Sequence, residues 1–278
     1  MIFLFLAISC SALISVIMRL STDKVSNNVS MLAMNYLMCL CIAAGDTGLA
    51  NLFPADPSLP STLGMGVVHG ILYLGSFVLL QVNIKQNGVV LSATFMKLGL
   101  LVPMAASVLL FGETPAPLQI LGFFIAIAAI ILINFETGQS VMQFRAGLLL
   151  LLLGGGCADV MSKVFEYYGN TAFSDQFLFY TFLVAFLLCT ALVVWKGEHP
   201  GKYEAEFGLV IGIPNFFSAK FLLKALDTVP AVIAYPTYSV ATIFAVTLIG
   251  VLLFKERLGK RQWLAIGIIL VALALLNT

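Results

Sequence analysis

Apolar residues along this chain come in ten runs, near residues 2–20, 30–45, 63–83, 88–110, 117–134, 146–167, 175–195, 207–226, 231–254 and 261–277. Most approach the roughly 20 residues that a helix needs to cross a hydrocarbon core about 30 Å thick. Backbone groups in lipid must be satisfied within their own segment. The runs lack the apolar/polar alternation of an outer-membrane barrel, so they predict helices. The expected fold is an all-α membrane protein with ten transmembrane helices. The links are short and often marked by Gly, Pro or Asn, as in Gln86-Asn87-Gly88, Thr114-Pro115-Ala116-Pro117 and Thr228-Val229-Pro230. Residues 2–20 lack the charged start and small-residue cleavage site of a signal peptide, and are read as the first span.

The pattern repeats. Phe111-Gly112-Glu113, followed by a helix ending at Asn134, recurs as Phe254-Lys255-Glu256 followed by a helix ending at Asn277. The offset is 143 residues (Glu113 to Glu256), and Gln119 falls on Gln262 in the same register. The chain therefore divides into a first five-helix repeat (1–136), a polar link (137–145) and a second five-helix repeat (146–278). Five is odd, so a second copy in series is inverted relative to the first. Basic residues agree: Gly112–Pro117 has none, whereas the matching Lys255–Arg261 has four. Inverted bundles around a shared midplane site are the geometry of alternating access.

Composition fixes the solvent. Hydrophobic residues make up 61% of the 278 and charged ones 10%, against about 45–50% and 25% in a soluble domain. Five cysteines (Cys10, Cys39, Cys41, Cys157, Cys189) all fall inside expected spans, where they act as small hydrophobes. Neither a disulfide framework nor a metal site is indicated, no cofactor is called for, and a net charge of +1 gives no footprint for nucleic acid.

Ionisable groups inside spans carry the functional signal, since each costs at least about 2.5–3.5 kcal/mol at the centre of a membrane helix. Lys97 lies near the middle of span four, with Ser92 and Thr94 close by. Lys220 lies deep in span eight, near the snorkelling Lys224. Asp159 and Lys163 stand four apart on span six and predict a structural ion pair. Tyr36, His69, Tyr73, Asn215, Tyr235 and Tyr238 would add a polar, aromatic lining, and Pro230 and Pro236 would bend or open span nine. With the Asp159–Lys163 pair set aside, Lys97 and Lys220 have no acidic partner at similar depth. They point to an anionic or zwitterionic metabolite, such as an amino-acid-like one. No catalytic set is visible, because only His69 lies within a span and Asp159 stands alone, so enzyme activity is not expected. A receptor gives no reason for an inverted duplication, and a channel would show a ring of filter residues.

Leu110-Phe111-Gly112-Glu113 with Gln119 and Gly122, and Leu253-Phe254-Lys255-Glu256-Arg257-Leu258 with Gln262 and Gly267, each give an apolar helix ending in glutamate, a short link and a glycine-bearing final helix. With Ala225-Leu226, Pro230 and Pro236, these residues resemble the drug/metabolite transporter superfamily, specifically its ten-span EamA-type members. Ala93 stands where a first-half counterpart of Pro236 would be. The resemblance implies a secondary transporter whose central cavity is lined by spans one to four and six to nine, with spans five and ten peripheral. Small residues on those two (Gly122, Ala126, Ala129; Ala265, Gly267, Ala272) suit close helix packing or a homodimer contact. Coupling to a proton or another ion fits such a carrier. The alternative within the superfamily is a multidrug or cation exporter, but span one lacks the embedded glutamate on which the small multidrug pumps depend.

Lysine and arginine in the links set the orientation. The odd-numbered links hold Arg19, Lys24, Lys85, Arg145, Lys196, Lys202, Lys255, Arg257, Lys260 and Arg261, and the even-numbered ones hold at most Lys224. This bias places odd links in the cytoplasm and both termini outside. Alkaline phosphatase fused after Thr278 is expected to be active, and a cytoplasm-only reporter fused there inactive; the opposite result reverses the orientation.

Overall fold

The computed structural model describes residues 1–87, 89–134, 145–255 and 259–278. Among the described residues all regular structure is helical: α1 (Ile2–Ser21), α2 (Asn28–Thr47), α3 (Leu59–Asn87), α4 (Val89–Leu98), α5 (Leu101–Leu109), α6 (Pro117–Asn134), α7 (Arg145–Tyr168), α8 (Ser174–Trp195), α9 (Lys202–Leu226), α10 (Ala231–Phe254) and α11 (Lys260–Leu276). Seven of these are long and apolar enough to cross a membrane alone. The broken pair α4–α5, α6 and α11 complete ten spans.

Helix ends carry the repeat. Asn27 caps α2 by accepting from Val29 N and Ser30 N, and Asn170, at the same 143-residue offset, accepts from Ala172 N just before α8. Gly112 after span four has φ +67°, and its counterpart Lys255 after span nine has φ +53°. Both turns need the left-handed region, which glycine enters freely and lysine does not.

Equivalent helices of the two halves pack antiparallel. On α2 and α8, Tyr36 meets Phe182 and Val29 O meets Cys189, so numbering rises on one helix as it falls on the other. On α6 and α11, a Cβ added to Gly122 near the start of α6 would sit 2.9 Å from Leu275 Cβ and 3.0 Å from Leu276 N at the end of α11. Helices that are equivalent by repeat and opposed in direction are the signature of an inverted pair.

The chain divides into two compact units, each drawing on both halves. One comprises residues 75–163 and 226–278, with Met1; the other comprises 2–74 and 164–225. In the first unit, Leu100, Phe123, Ala126, Ala129, Ile130, Val240, Ile269, Ala272 and Leu276 form a core in which α6 and α11 lie together. The small residues Ala126, Ala129, Ala265 and Ala272 are fully buried, so within this chain they serve helix packing.

In the second unit two glycine pairs set the helix spacing. Gly66 and Gly70 of α3 lie on α8, where added Cβ atoms would fall 2.7 Å from Tyr180 Cβ and 2.6 Å from Thr181 O. Gly208 and Gly212 of α9 lie on α2, where a Cβ on Gly212 would fall 2.6 Å from Asn35 O. Both are small-xxx-small pairs, which let backbones approach in a solvent that gives helices no hydrophobic reason to associate.

Span four departs from expectation. It is broken at Gly99-Leu100, while span nine runs unbroken through Pro236. Pro103 has no N–H to offer Gly99 O, which instead accepts from Val102 N at 3.0 Å. Gly99 also tolerates contact with α7, since a Cβ there would lie 3.1 Å from Leu152 O and 3.3 Å from Gly156 N.

The left-handed turn at Lys255 yields a stability prediction. Lys255→Gly is expected to raise stability by about 1 kcal/mol by removing the Cβ penalty, read as a higher unfolding temperature in detergent; an unchanged or lower temperature contradicts the account.

Candidate functional site

The residues singled out from the sequence fall into separate groups, one set in each unit. In the first unit Lys97 lies two residues before the break in span four, at the carbonyl end of α4, where the helix dipole favours a cation. It is half-buried. Asp159 of α7 lies within electrostatic reach of it, and the Gly99–Gly156 approach holds α4 and α7 close at that level. The Tyr235 hydroxyl of α10 donates to Asp159 O, which uses this tyrosine to fix α10 on α7. Tyr238 is half-buried on the same helix.

Beyond the i, i+4 pairing expected with Asp159, Lys163 has a longer-range partner. Lys163 Nζ lies 3.1 Å from Glu113 Oε1, with both side chains largely buried, and it also sits over the Phe111 ring. Glu113 does a second job: its Oε1 accepts from Ala231 N at 3.1 Å and its Oε2 from Val232 N at 2.8 Å. Pro230 at the N-cap of α10 has no side-chain donor or acceptor, so this distant carboxylate caps the helix in its place. The second-half counterpart, Glu256, lies outside the described residues.

In the second unit the tyrosines and asparagines meet. The Tyr73 hydroxyl donates to Asn215 Oδ1 at 3.0 Å, Asn215 Nδ2 donates to Asn35 Oδ1 at 3.2 Å, and Cys39 Sγ donates to Gly212 O. Tyr36, Tyr73 and Phe182 form a ring cluster with centroids 6.0–6.5 Å apart. Aligning the glycine pair Gly66/Gly70 with Gly208/Gly212, one residue off the register of the helix ends, sets Tyr73 opposite Asn215 in the two halves.

His69 sits beside this cluster, buried between α3 and α8. Its ring stacks on Phe177 at 5.2 Å and meets Tyr73 edge-on at 5.7 Å. Thr181 Oγ1 donates to Phe177 O, so it accepts from His69 Nδ1–H at 3.2 Å, which sets the tautomer. Enclosed in this way, the imidazole ties two helices together.

Lys220 does not stand alone, contrary to expectation. Its ammonium contacts Asp46 Oδ2 and lies 3.0 Å from Asp175 Oδ1. The absence of acidic partners for Lys97 and Lys220, which suggested an anionic substrate, is therefore corrected. The sequence hid these partners because Asp46 and Asp175 occupy the ends of different spans, while the break beside Lys97 had a signal in Gly99 and Pro103.

Ten spans in an inverted repeat, with paired charges inside the spans, define a multi-pass membrane protein of the transporter type. The profile of the EamA-like transporter family matches residues 145–278. Along most of its length the chain is similar to an uncharacterized protein of Haemophilus influenzae, at 26% identity over 276 residues, 95% of this chain and 93% of the relative. A shorter relative, the Proteus mirabilis protein named Probable 4-amino-4-deoxy-L-arabinose-phosphoundecaprenol flippase subunit ArnE, is 33% identical over 89 residues, 31% of this chain and 78% of the relative. A crystal structure matches the fold with a TM-score of 0.73 and 16% identity, covering 99% of this chain and 98% of that one. The chain belongs to the EamA-like transporters of the drug/metabolite transporter superfamily.

Glu113 provides the structural test of this site. Glu113→Ala is expected to cost about 3 kcal/mol, because α10 loses its cap and Lys163 loses this buried carboxylate. Adding Lys163→Met should cost less than the two single losses summed, a coupling measurable by unfolding in detergent; strict additivity would refute the pairing.

Proposed function

We propose that the protein is a secondary transporter of the cell membrane that carries a small zwitterionic, amino-acid-like metabolite by alternating access, without transforming it chemically. The observation that carries this reading is the break in span four beside Lys97, with Asp159 of α7 within electrostatic reach of it. Discontinuous spans near the bilayer midplane offer free carbonyls and helix ends to a ligand. A lysine and an aspartate of opposite charge at that level match a molecule bearing both a carboxylate and an amine. A purely anionic substrate is a poorer match, since Lys97 and Lys220 each already have acidic neighbours. A cationic drug would be opposed by Lys97. The ArnE relative's printed substrate also carries an amine and a phosphate, so a doubly charged head group is consistent with that kinship.

In this reading Lys97 takes the carboxylate and Asp159 the amine. Tyr36, Tyr73 and Asn215 form the polar, aromatic interior of the second unit, and His69, Tyr235 and Tyr238 support the helices around these groups. Both termini face outward, as the basic residues of the links require.

The test is a thermal-stabilisation screen of the purified protein with zwitterionic, anionic and quaternary-ammonium compounds, followed by uptake of each hit into proteoliposomes. Zwitterions are expected to stabilise. Lys97→Ala should cut affinity and uptake at least tenfold, about 1.4 kcal/mol, with the protein still folded and inserted. Full transport by Lys97→Ala, or stabilisation by quaternary ammonium compounds alone, would overturn the assignment.

A further inference from the structure

Lys220 occupies a particular place in the second unit. Asp46 is the penultimate residue of α2, Asp175 lies in the first turn of α8, and Lys220 lies near the end of α9. By chain order these are the end of span two, the start of span seven and the approach to the link after span eight. Links two, six and eight are all even-numbered, so the three helix ends share one face of the membrane, which the basic residues of the odd links mark as the outer one.

The same end carries a strap. Link two is fastened across the first turns of α8: Gln176 Nε2 donates to Asn51 O at 3.1 Å, the Tyr180 hydroxyl donates to Leu52 O, and Phe53 packs on Tyr180 at 5.8 Å. Asn170 Nδ2 reaches Ser58 Oγ on the far side of the link. Directly inward of Lys220 lie Phe216, whose ring centroid is 6.0 Å from the ammonium, and then Asn215 of the Tyr73–Asn35 network. The ion cluster and the strap therefore cover the polar interior of this unit from the even-link side.

The opposite end is held differently. There Glu204 Oε1 of α9 accepts from Ser26 N at 2.9 Å, Ser26 Oγ at 3.0 Å and Asn27 N at 3.3 Å, a set of contacts to backbone and a short side chain at the start of α2. Those groups are anchored in main chain. At the outer end the strap joins link two to α8 only, and the tie that holds α9 to α2 and α8 is one long, flexible lysine, 12% exposed, between carboxylates that are 34% and 40% exposed. Ion pairs reached by water hold weakly and re-form readily. The helices themselves stay together through the Gly66/Gly70 and Gly208/Gly212 crossings, which need neither aspartate. A contact that can break without unfolding its bundle, at one end only, has the properties of a gate.

We propose that Lys220 is a gating residue, closing the outer end of the α2–α8–α9 bundle by bridging Asp46 and Asp175, and that release of this bridge opens the Tyr36–Tyr73–Asn215 interior to the outer face. This assigns Lys220 to closure instead of substrate contact. It rests on the reading of the protein as an alternating-access carrier, but its test needs no substrate.

Cys39 is a native reporter, buried in that interior with its thiol on Gly212 O. In full-length protein whose other four cysteines are replaced, reconstituted in liposomes, a membrane-impermeant methanethiosulfonate is added from one face at a time. Lys220→Gln is expected to speed modification of Cys39 at least tenfold from the face that bears link two and to leave the rate from the other face unchanged. Lys220→Arg should restore the slow rate. Asp175→Asn, at the most exposed member, should reproduce the acceleration in part and serves if Lys220→Gln does not fold. Acceleration equal from both faces would mean a loosened bundle, and no acceleration in either variant would mean a static tie; each overturns the proposal. Because no ligand enters the assay, its failure is distinguishable from failure of the Lys97 experiment.

Discussion

Close backbone contact between helices is the constraint on which this structure rests. Inside a bilayer the lipid tails are as apolar as leucine, so burying side chains gains little and helices associate by shape and by polar contacts. The glycines of α3 on α8, of α9 on α2, and Gly99 against Gly156 are the places where that shape is made. A Cβ at Gly70 or Gly212 would strike a carbonyl oxygen of the neighbouring helix. Backbone at such contacts has little freedom to retreat. The hydrogen bonds that follow, Asn215 to Asn35 and His69 to Thr181, depend on these approaches, since each acts across a crossing that the glycines bring close.

Charge is the second constraint, and it is solved by distance in sequence. Lys163 goes to Glu113 and Lys220 to Asp46 and Asp175, while Lys97 shares its surroundings with Asp159. Each cation meets its partner across a helix boundary. Removing one member from the buried Lys163–Glu113 pair strands the other, so this pair ties helix ends together as well as neutralising charge. Glu113 shows both effects in one side chain, holding Lys163 and capping α10.

The spans were legible in the sequence because the hydrocarbon thickness imposes a length on every apolar run; α6 and α10, for example, occupy 117–134 and 231–254, as the pattern predicts. The inversion was legible because five is odd and because basic residues mark one face. Partners were not legible. The i, i+4 rule sees only one helix, and it gives no hint of the contact from Lys163 to Glu113. The break is hard to place for a related reason: proline alone does not mark it, since Pro236 is accommodated in α10 and the combination of Gly99 with Pro103 breaks span four. Nothing in the sequence signals that one hydrogen bond and one ring contact join Tyr36, Tyr73 and Asn215.

Repeat and departure from repeat divide the work. At the 143-residue offset the structural devices recur: Asn27 with Asn170 as caps, and Gly112 with Lys255 as left-handed turns. The charges inside spans do not recur. Lys97 falls on Val240, Asp159 on Val16 and Lys163 on Leu20, while Gly99, at the break, falls on Thr242 in an intact helix. A symmetric scaffold supplies two equivalent ways of packing, as the alternating access proposed above would require. In the transport reading proposed above, a perfectly symmetric pair of half-sites would present each charge twice to a ligand with one carboxylate and one amine. The duplication therefore accounts for the shape of the carrier, and the unpaired substitutions in its first and second halves account for what that shape is able to hold.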